Sequence, residues 1–185
     1  MYPSIGQFVM ARSSTKTVNG NVKKLPIFRG LPKSTAAGFW PLLHAQKLSG
    51  GQHIFEQGDP AEQVYLVVDG EIEIVYQPED GGDSMMVGVI RSGGVFGLSA
   101  ALGRRAYTSG AQCSSDSKVV WIAREDLKRY CRANGQGGEQ VLQRLAHAIA
   151  GRLEKPPNDI ALKLHQALMR GCDVKEASKG PKDAR

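Results

Sequence analysis

One stretch constrains this chain more than any other: V-Y-L-V-V-D-G-E-I-E-I-V-Y, residues 64–76. Two runs rich in β-branched and aromatic residues flank Asp69-Gly70. This is the short-range pattern of a two-residue hairpin, whose central positions need positive φ. On the second run Ile72 and Ile74 alternate with Glu71, Glu73 and Val75, so one face is dry and the other wet. A lone hairpin is marginal in water, and further strands must cover the dry face. Residues 47–48, 52–55, 85–90, 109–113 and 119–122 supply them as short runs of the same kind, parted by turns carrying Gly, Asp or Pro. The fold class implied is mainly β with flanking α: an antiparallel β-roll, double-stranded and jelly-roll-like.

Outside these runs the period lengthens. Ala36, Phe39, Trp40 and Leu43 stand at i, i+3, i+4 and i+7, which predicts a helix before the roll. After it, residues 124–132 predict a short helix carrying Leu127 and Tyr130. Gly135–Gly138 reads as a break, followed by a longer helix over 139–155 that Pro156-Pro157 stops. Leu142, Leu145, Ile149 and Leu153 form one stripe of that helix. The stripe suits a short coiled-coil seam to a second copy or partner, or a face packed back on the roll. Asn158 is expected to cap a last amphipathic helix through Arg170, with Gly171 as its C-cap. The organisation expected is a flexible basic tail (1–21), the roll and its helices (22–155), a C-terminal helix (156–171) and a flexible charged tail (172–185).

Composition narrows the function classes. No run approaches the eighteen or so apolar residues of a membrane span. Cys113, Cys131 and Cys172 form no C-x-x-C pair, and this odd, sparse set points to a reducing, cytoplasmic setting. His44, His53, His147 and His165 lack metal-ligand spacing, so no metal site is expected. Charge is unevenly placed: seven Lys or Arg and no acidic residue precede Glu56, while the remainder is nearly neutral. That amino-terminal excess reads as a solvated tail, as a docking arm for an anionic partner such as nucleic acid or a lipid surface, or as an organelle presequence.

The ordered set G-Q-H-I-F-E-Q-G-D-P-A-E-Q-V-Y-L-V-V-D-G-E-I-E-I (51–74) resembles the cyclic-nucleotide-binding domain of the catabolite-activator/Fnr (Crp/Fnr) type. Gly51, Gly58, Asp59, Tyr65, Leu66 and Gly70 stand where that family has them, and L-P-I-F-R-G-L-P (25–32) resembles its opening segment. The resemblance covers residues 22–155. It implies a phosphate cassette in V-F-G-L-S-A-A-L-G-R-R-A-Y-T-S-G-A (95–111), where backbone amides after Phe96-Gly97 face an anion. Small Ser99, Ala100 and Ala101 permit close approach. Counting back from Thr108 and Ala111 places Arg105 on the family's phosphate-binding arginine, with Arg104 as the alternate. Arg105 is otherwise a surface or salt-bridging arginine.

Two positions depart from the family pattern. Leu98 stands on the glutamate that accepts the ribose 2′-hydroxyl. A ribose hydroxyl left unpaired against leucine costs about 1–3 kcal/mol, roughly 5- to 150-fold in affinity. Tyr107 stands where a small residue is preferred and either fills part of the pocket or packs into the roll. The ligand implied is cAMP, cGMP or another anion held weakly, and no cofactor is otherwise expected.

The function expected is a non-catalytic regulatory or sensor-like module acting through a protein partner or as a homodimer. The alternative is a ligand-free structural or adaptor subunit docking through its basic amino-terminal segment and its last helix. A DNA-binding regulator is expected less, since the 28 residues after Pro157 are few for a helix-turn-helix, and an enzyme is expected least. No nucleophile–base pair or metal constellation supports an enzyme.

Overall fold

The computed structural model describes residues 20–79, 81–151 and 160–174. The roll is built from two four-stranded antiparallel sheets. β1 (His44–Leu48), β3 (Gln63–Asp69), β6 (Val95–Phe96) and β8 (Ser117–Ala123) form one, in the order β1-β8-β3-β6. β2 (His53–Phe55), β4 (Ile72–Tyr76), β5 (Met85–Ile90) and β7 (Gly110–Cys113) form the other, in the order β2-β7-β4-β5. The pairs nest: β4 with β5, β3 with β6, β2 with β7, β1 with β8. This is the double-stranded antiparallel roll expected from the strand pattern.

The Asp69-Gly70 turn is a different object from the predicted hairpin. β3 and β4 lie in different sheets, so the turn carries the chain from one sheet to the other. Only Gly70 takes positive φ, at 93°, while Asp69 stays in β3 opposite Lys118. A Cβ on Gly70 would lie 2.3 Å from Ser117 Oγ and 2.8 Å from Asp116 O. The glycine therefore serves a close approach to the β7–β8 corner, where the chain also changes sheet. The dry face is as expected: Ile72 is fully buried and Ile74 packs against the core.

Before the roll come α1 (Gly20–Lys23), a 3-10 turn (Pro26–Phe28), α2 (Lys33–Phe39) and a second 3-10 turn (Trp40–Leu42). The helix expected through Leu43 ends earlier because Pro41 stands in the first turn of that second 3-10 segment. Phe28 holds this cap together, with ring centroids 4.6 Å from Trp40 and 6.2 Å from Phe39.

α3 (Leu98–Ala101) follows β6, and α4 (Arg124–Ala133), α5 (Gly135–Ala150) and α6 (Ile160–Gly171) follow the roll. The break falls at Asn134–Gly135 and does not extend across Gly135–Gly138. α5 begins at Gly135, whose φ of 40° makes the corner after Asn134. Gly138 is buried, and a Cβ there would lie 2.5 Å from Cys131 Cα, so the site takes only glycine. Leu142 and Leu145 are buried within the chain, and Ile149 packs against the same core. Those side chains are thus engaged in packing within the chain. Leu153, Pro156-Pro157 and the Asn158 cap lie outside the described residues.

The end of α6 also differs from expectation. Gly171 is the last helical residue, and the left-handed position falls at Asp173, with φ of 54°. Val174 N–H donates to Met169 O at 2.9 Å, closing the helix end. Gly171 is small for another reason: a Cβ would lie 2.2 Å from Ala101 O and 2.8 Å from Leu102 Cα. Cys172 is 1% exposed, so packed structure runs past the expected boundary at residue 172. Among the described residues no helix is long and apolar enough to cross a membrane.

Candidate functional site

Local chemistry builds the 95–111 segment in three steps. β6 pairs Phe96 with Tyr65 and then stops at Gly97, whose φ is 71°. A Cβ on Gly97 would lie 2.8 Å from Gln63 O and 3.0 Å from the Tyr65 ring, so only glycine lets the turn approach β3 this closely. The single-turn α3 then presents Leu98, Ser99, Ala100 and Ala101, of which the last three are buried. Gly103 N–H donates to Ala100 O at 3.2 Å and Arg104 N–H to Ser99 O at 2.9 Å, turning the chain back.

Ser99 and Thr108 tie the ends of this loop. Thr108 N–H donates to Ser99 Oγ at 3.3 Å, and the two hydroxyl oxygens are 3.4 Å apart. The far arm, residues 104–108, is clipped to the segment before β3. Ala61 N–H donates to Arg105 O, Tyr107 N–H to Asp59 O and Gly58 N–H to Tyr107 O, each at 2.9 Å. Arg124 donates from its guanidinium to Arg104 O at 3.2 Å. The backbone at Arg104 and Arg105 is therefore fixed while both side chains are exposed. Among the described residues, no ion pair engages either guanidinium.

Leu98 is half-buried and packs against the core. Tyr107 is 5% exposed and stacks on Phe55 with centroids 3.7 Å apart and planes 14° from parallel. Its hydroxyl donates to Gln63 O at 2.8 Å and accepts from Gln63 N–H at 3.1 Å. Burial pushes its pKa upward, with backbone hydrogen bonds at Gln63 and Glu62 opposing in part. Tyr65 is pushed up more strongly by burial and by neighbouring Tyr107, and it donates to the Gln63 side chain. Tyr107 thus belongs to the aromatic core with Phe55, Tyr65 and Phe96.

The structure brings Phe96, Gly97, Ser99, Ala100, Arg104, Arg105 and Thr108 into one loop. Sequence reasoning missed Gln63 and Phe55, which lie far from the loop in the chain and hold Tyr107 from two sides. Nothing local in the sequence marks either residue. Among the described residues no cluster of His, Cys, Asp and Glu suits a metal ion.

This nested roll with its glycine-led cassette has relatives. The family model described as the cyclic nucleotide-binding domain matches residues 45–134. Those residues form a cyclic nucleotide-binding domain. The chain is 24% identical over 135 residues to a CRP-like cAMP-activated global transcriptional regulator of Mycobacterium tuberculosis, covering 73% of this chain and 58% of that protein. It spans 25% and 41% of the length of two further curated relatives. The solved cyclic nucleotide-binding domain from Methylobacillus flagellatus superposes with a TM-score of 0.62 at 16% identity, covering 71% of this chain and 74% of that one. The Thermus thermophilus catabolite activator protein gives 0.58 at 25% identity, covering 76% and 63%. Within this cyclic nucleotide-binding domain, residues 51–74 and the cassette fall inside the matched span, while the opening segment 25–32 that also drew the resemblance lies before it.

Proposed function

We propose that this domain is a regulatory module whose cassette holds an anionic ligand, a cyclic nucleotide among the candidates, and that it acts through a protein partner. The observation that carries this reading is the pair of exposed guanidiniums, Arg104 and Arg105, without an ion pair among the described residues, on a backbone pinned beside the Gly97–Ala101 turn. Such a loop offers amides and positive charge to a phosphate without a large rearrangement. Leu98 offers no acceptor for a ribose hydroxyl, so phosphate is recognised better than sugar. The cAMP named for the mycobacterial relative is the first ligand to try. Three free, buried cysteines agree with a reducing, cytoplasmic setting.

Calorimetry with cAMP and cGMP tests the reading directly. Weak binding is expected, lost in Arg105→Ala and strengthened by about a decade or more in Leu98→Glu, which restores a hydrogen-bond acceptor. No heat at millimolar nucleotide with wild type and Leu98→Glu alike would sink the ligand-binding reading. One observation favours the adaptor reading: Tyr107 stacked on Phe55 fills the roll interior behind the cassette. In that case, the domain is recovered with a partner and is indifferent to nucleotide. Docking through the basic amino-terminal segment and α6 would then carry the function.

A further inference from the structure

Two buried thiols stand outside the cassette. Cys131 lies in α4 at 0% exposure, and Cys172 follows α6 at 1%. Each thiol's proton affinity is governed first by the other, which makes the two near neighbours. The juxtaposition is set independently from the surface, because the Asp173 carboxylate pairs with Arg132 and, at 3.7 Å, with Lys128. Those two cations bracket Cys131 on α4, and Asp173 directly follows Cys172. On its other side Cys131 Sγ donates to Gly138 O at 3.8 Å, where α5 can approach only because residue 138 has no Cβ. Cys113 sits elsewhere, in β7 opposite Ile72.

We propose that Cys131 and Cys172 form an oxidisable dithiol, a modification site for hydroperoxides that closes to a disulfide between α4 and the end of α6. The Cys172 thiolate attacks one peroxide oxygen and the O–O bond breaks. The other oxygen leaves as hydroxide and takes up a proton to become water, and Cys172 becomes a sulfenic acid. Cys131 sulfur then attacks the Cys172 sulfur. The S–O bond breaks, and the departing oxygen leaves as water with the Cys131 proton. Two thiols lose two electrons, and one hydrogen peroxide is reduced to two waters.

The asymmetry between the thiols supports these roles. The neighbouring Cys131 lowers the Cys172 pKa against the cost of burial, with Lys128 and Arg132 adding to this and Asp173 opposing it. Cys131 is pushed strongly the other way by its pairing with Cys172 and by burial, so it waits protonated as the resolving thiol. Both sulfurs are closed to solvent, and oxidation is paced by opening of the α6 end, which the exposed Asp173 ion pairs hold down. The bond has a structural consequence whatever the cassette binds. Gly171, next to Cys172, lies against Ala101 and Leu102, so closing the disulfide pins α6 to the back of the cassette turn.

The test uses the full reduced chain exposed to hydrogen peroxide, then alkylated under denaturing conditions and peptide-mapped. A peptide linking Cys131 to Cys172, lighter by two hydrogens, is expected, with Cys113 still alkylated. The oxidised form should melt higher and exchange amide hydrogens more slowly across 160–171, and dithiothreitol should reverse both. Cys131→Ser and Cys172→Ser should each abolish the link; Cys131→Ala serves if a hydroxyl in that apolar site unfolds the chain. Asp173→Ala, which frees the α6 end, should speed disulfide formation severalfold. Full alkylation of all three cysteines after peroxide overturns the proposal. So does further oxidation of Cys172 to a sulfinic acid with no linked peptide. An Asp173→Ala rate equal to wild type refutes the pacing by the α6 end.

Discussion

Gly138→Ala puts the α4–α5 junction to the sharpest test. In a helix interior, glycine to alanine ordinarily gains about 1 kcal/mol from propensity. Here the added Cβ would lie 2.5 Å from Cys131 Cα, 2.7 Å from its carbonyl oxygen and 3.0 Å from its carbonyl carbon. All three are backbone atoms of α4, so no side-chain rotation relieves the contact and the two helices must part. Overpacking of this kind costs about 1–3 kcal/mol, and a rigid backbone contact belongs at the upper end. The net expectation is a loss of about 2 kcal/mol, or roughly 4–8 °C in Tm for a chain this size. Gly137→Ala is the matched control. Its Cβ would meet only side-chain atoms, Thr35 Oγ1 at 3.2 Å and Cγ2 at 3.6 Å and the Tyr130 hydroxyl at 3.7 Å, and no backbone. The control should be neutral or more stable by up to about 1 kcal/mol. Both substitutions add the same methyl at neighbouring positions of one helix, so their difference reports chiefly the backbone approach to Cys131. Thermal melts followed by circular dichroism measure it. A Gly138→Ala protein melting with or above Gly137→Ala would falsify the packing argument.

Other expectations follow from the same geometry. Tyr107→Phe keeps the stack on Phe55 but strips a partner from Gln63 O and N–H, and should cost about 1–3 kcal/mol in urea unfolding; an unchanged midpoint counts against the clip. Burial raises the folded pKa of Tyr65 and Tyr107 above the ordinary value of 10.0. Their contribution to stability is therefore complete below about pH 10 and is lost as the pH rises from there through the folded values. Each tyrosine adds a downward slope of about 1.4 kcal/mol per pH unit in that window. Tyr107→Phe should flatten the slope by one such increment, and a wild-type slope in the variant refutes the assignment. Gly70→Ala combines positive φ with a contact 2.3 Å from Ser117 Oγ, and should destabilise by more than about 1 kcal/mol.

The strands and the cassette were legible because their signals are local. Alternation at 72–76, the run at 85–90 and the Phe96-Gly97 pair each need only a few neighbouring residues to be read. What was lost is what depends on residues distant in sequence. A glycine with positive φ serves a hairpin or a corner between sheets equally well. Only the approach of Ser117 to Gly70 decides between them. β6 has two residues, too few to show a period, and exists because β3 pairs with it. The glycines at 135–138 and at 171 read as stop signals by composition. Their real constraints are the backbones of Cys131 and Ala101, which no spacing rule reveals. Tyr107 looked like a candidate pocket residue because its partners, Phe55 and Gln63, stand far upstream.

The nesting of the strand pairs also sets an order of events during synthesis. β4 and β5 can meet as soon as both have left the ribosome, since only residues 77–84 separate them. Each later pair, β3 with β6 and β2 with β7, then closes around a segment already drawn together, so little extra loop entropy is spent at each stage. β1 waits longest. His44 emerges early yet has no partner until Trp121 arrives, and for that interval its edge is open to other nascent chains. The stacking of His44 on Trp121, with ring centroids 4.2 Å apart, is then among the last contacts of the roll to form.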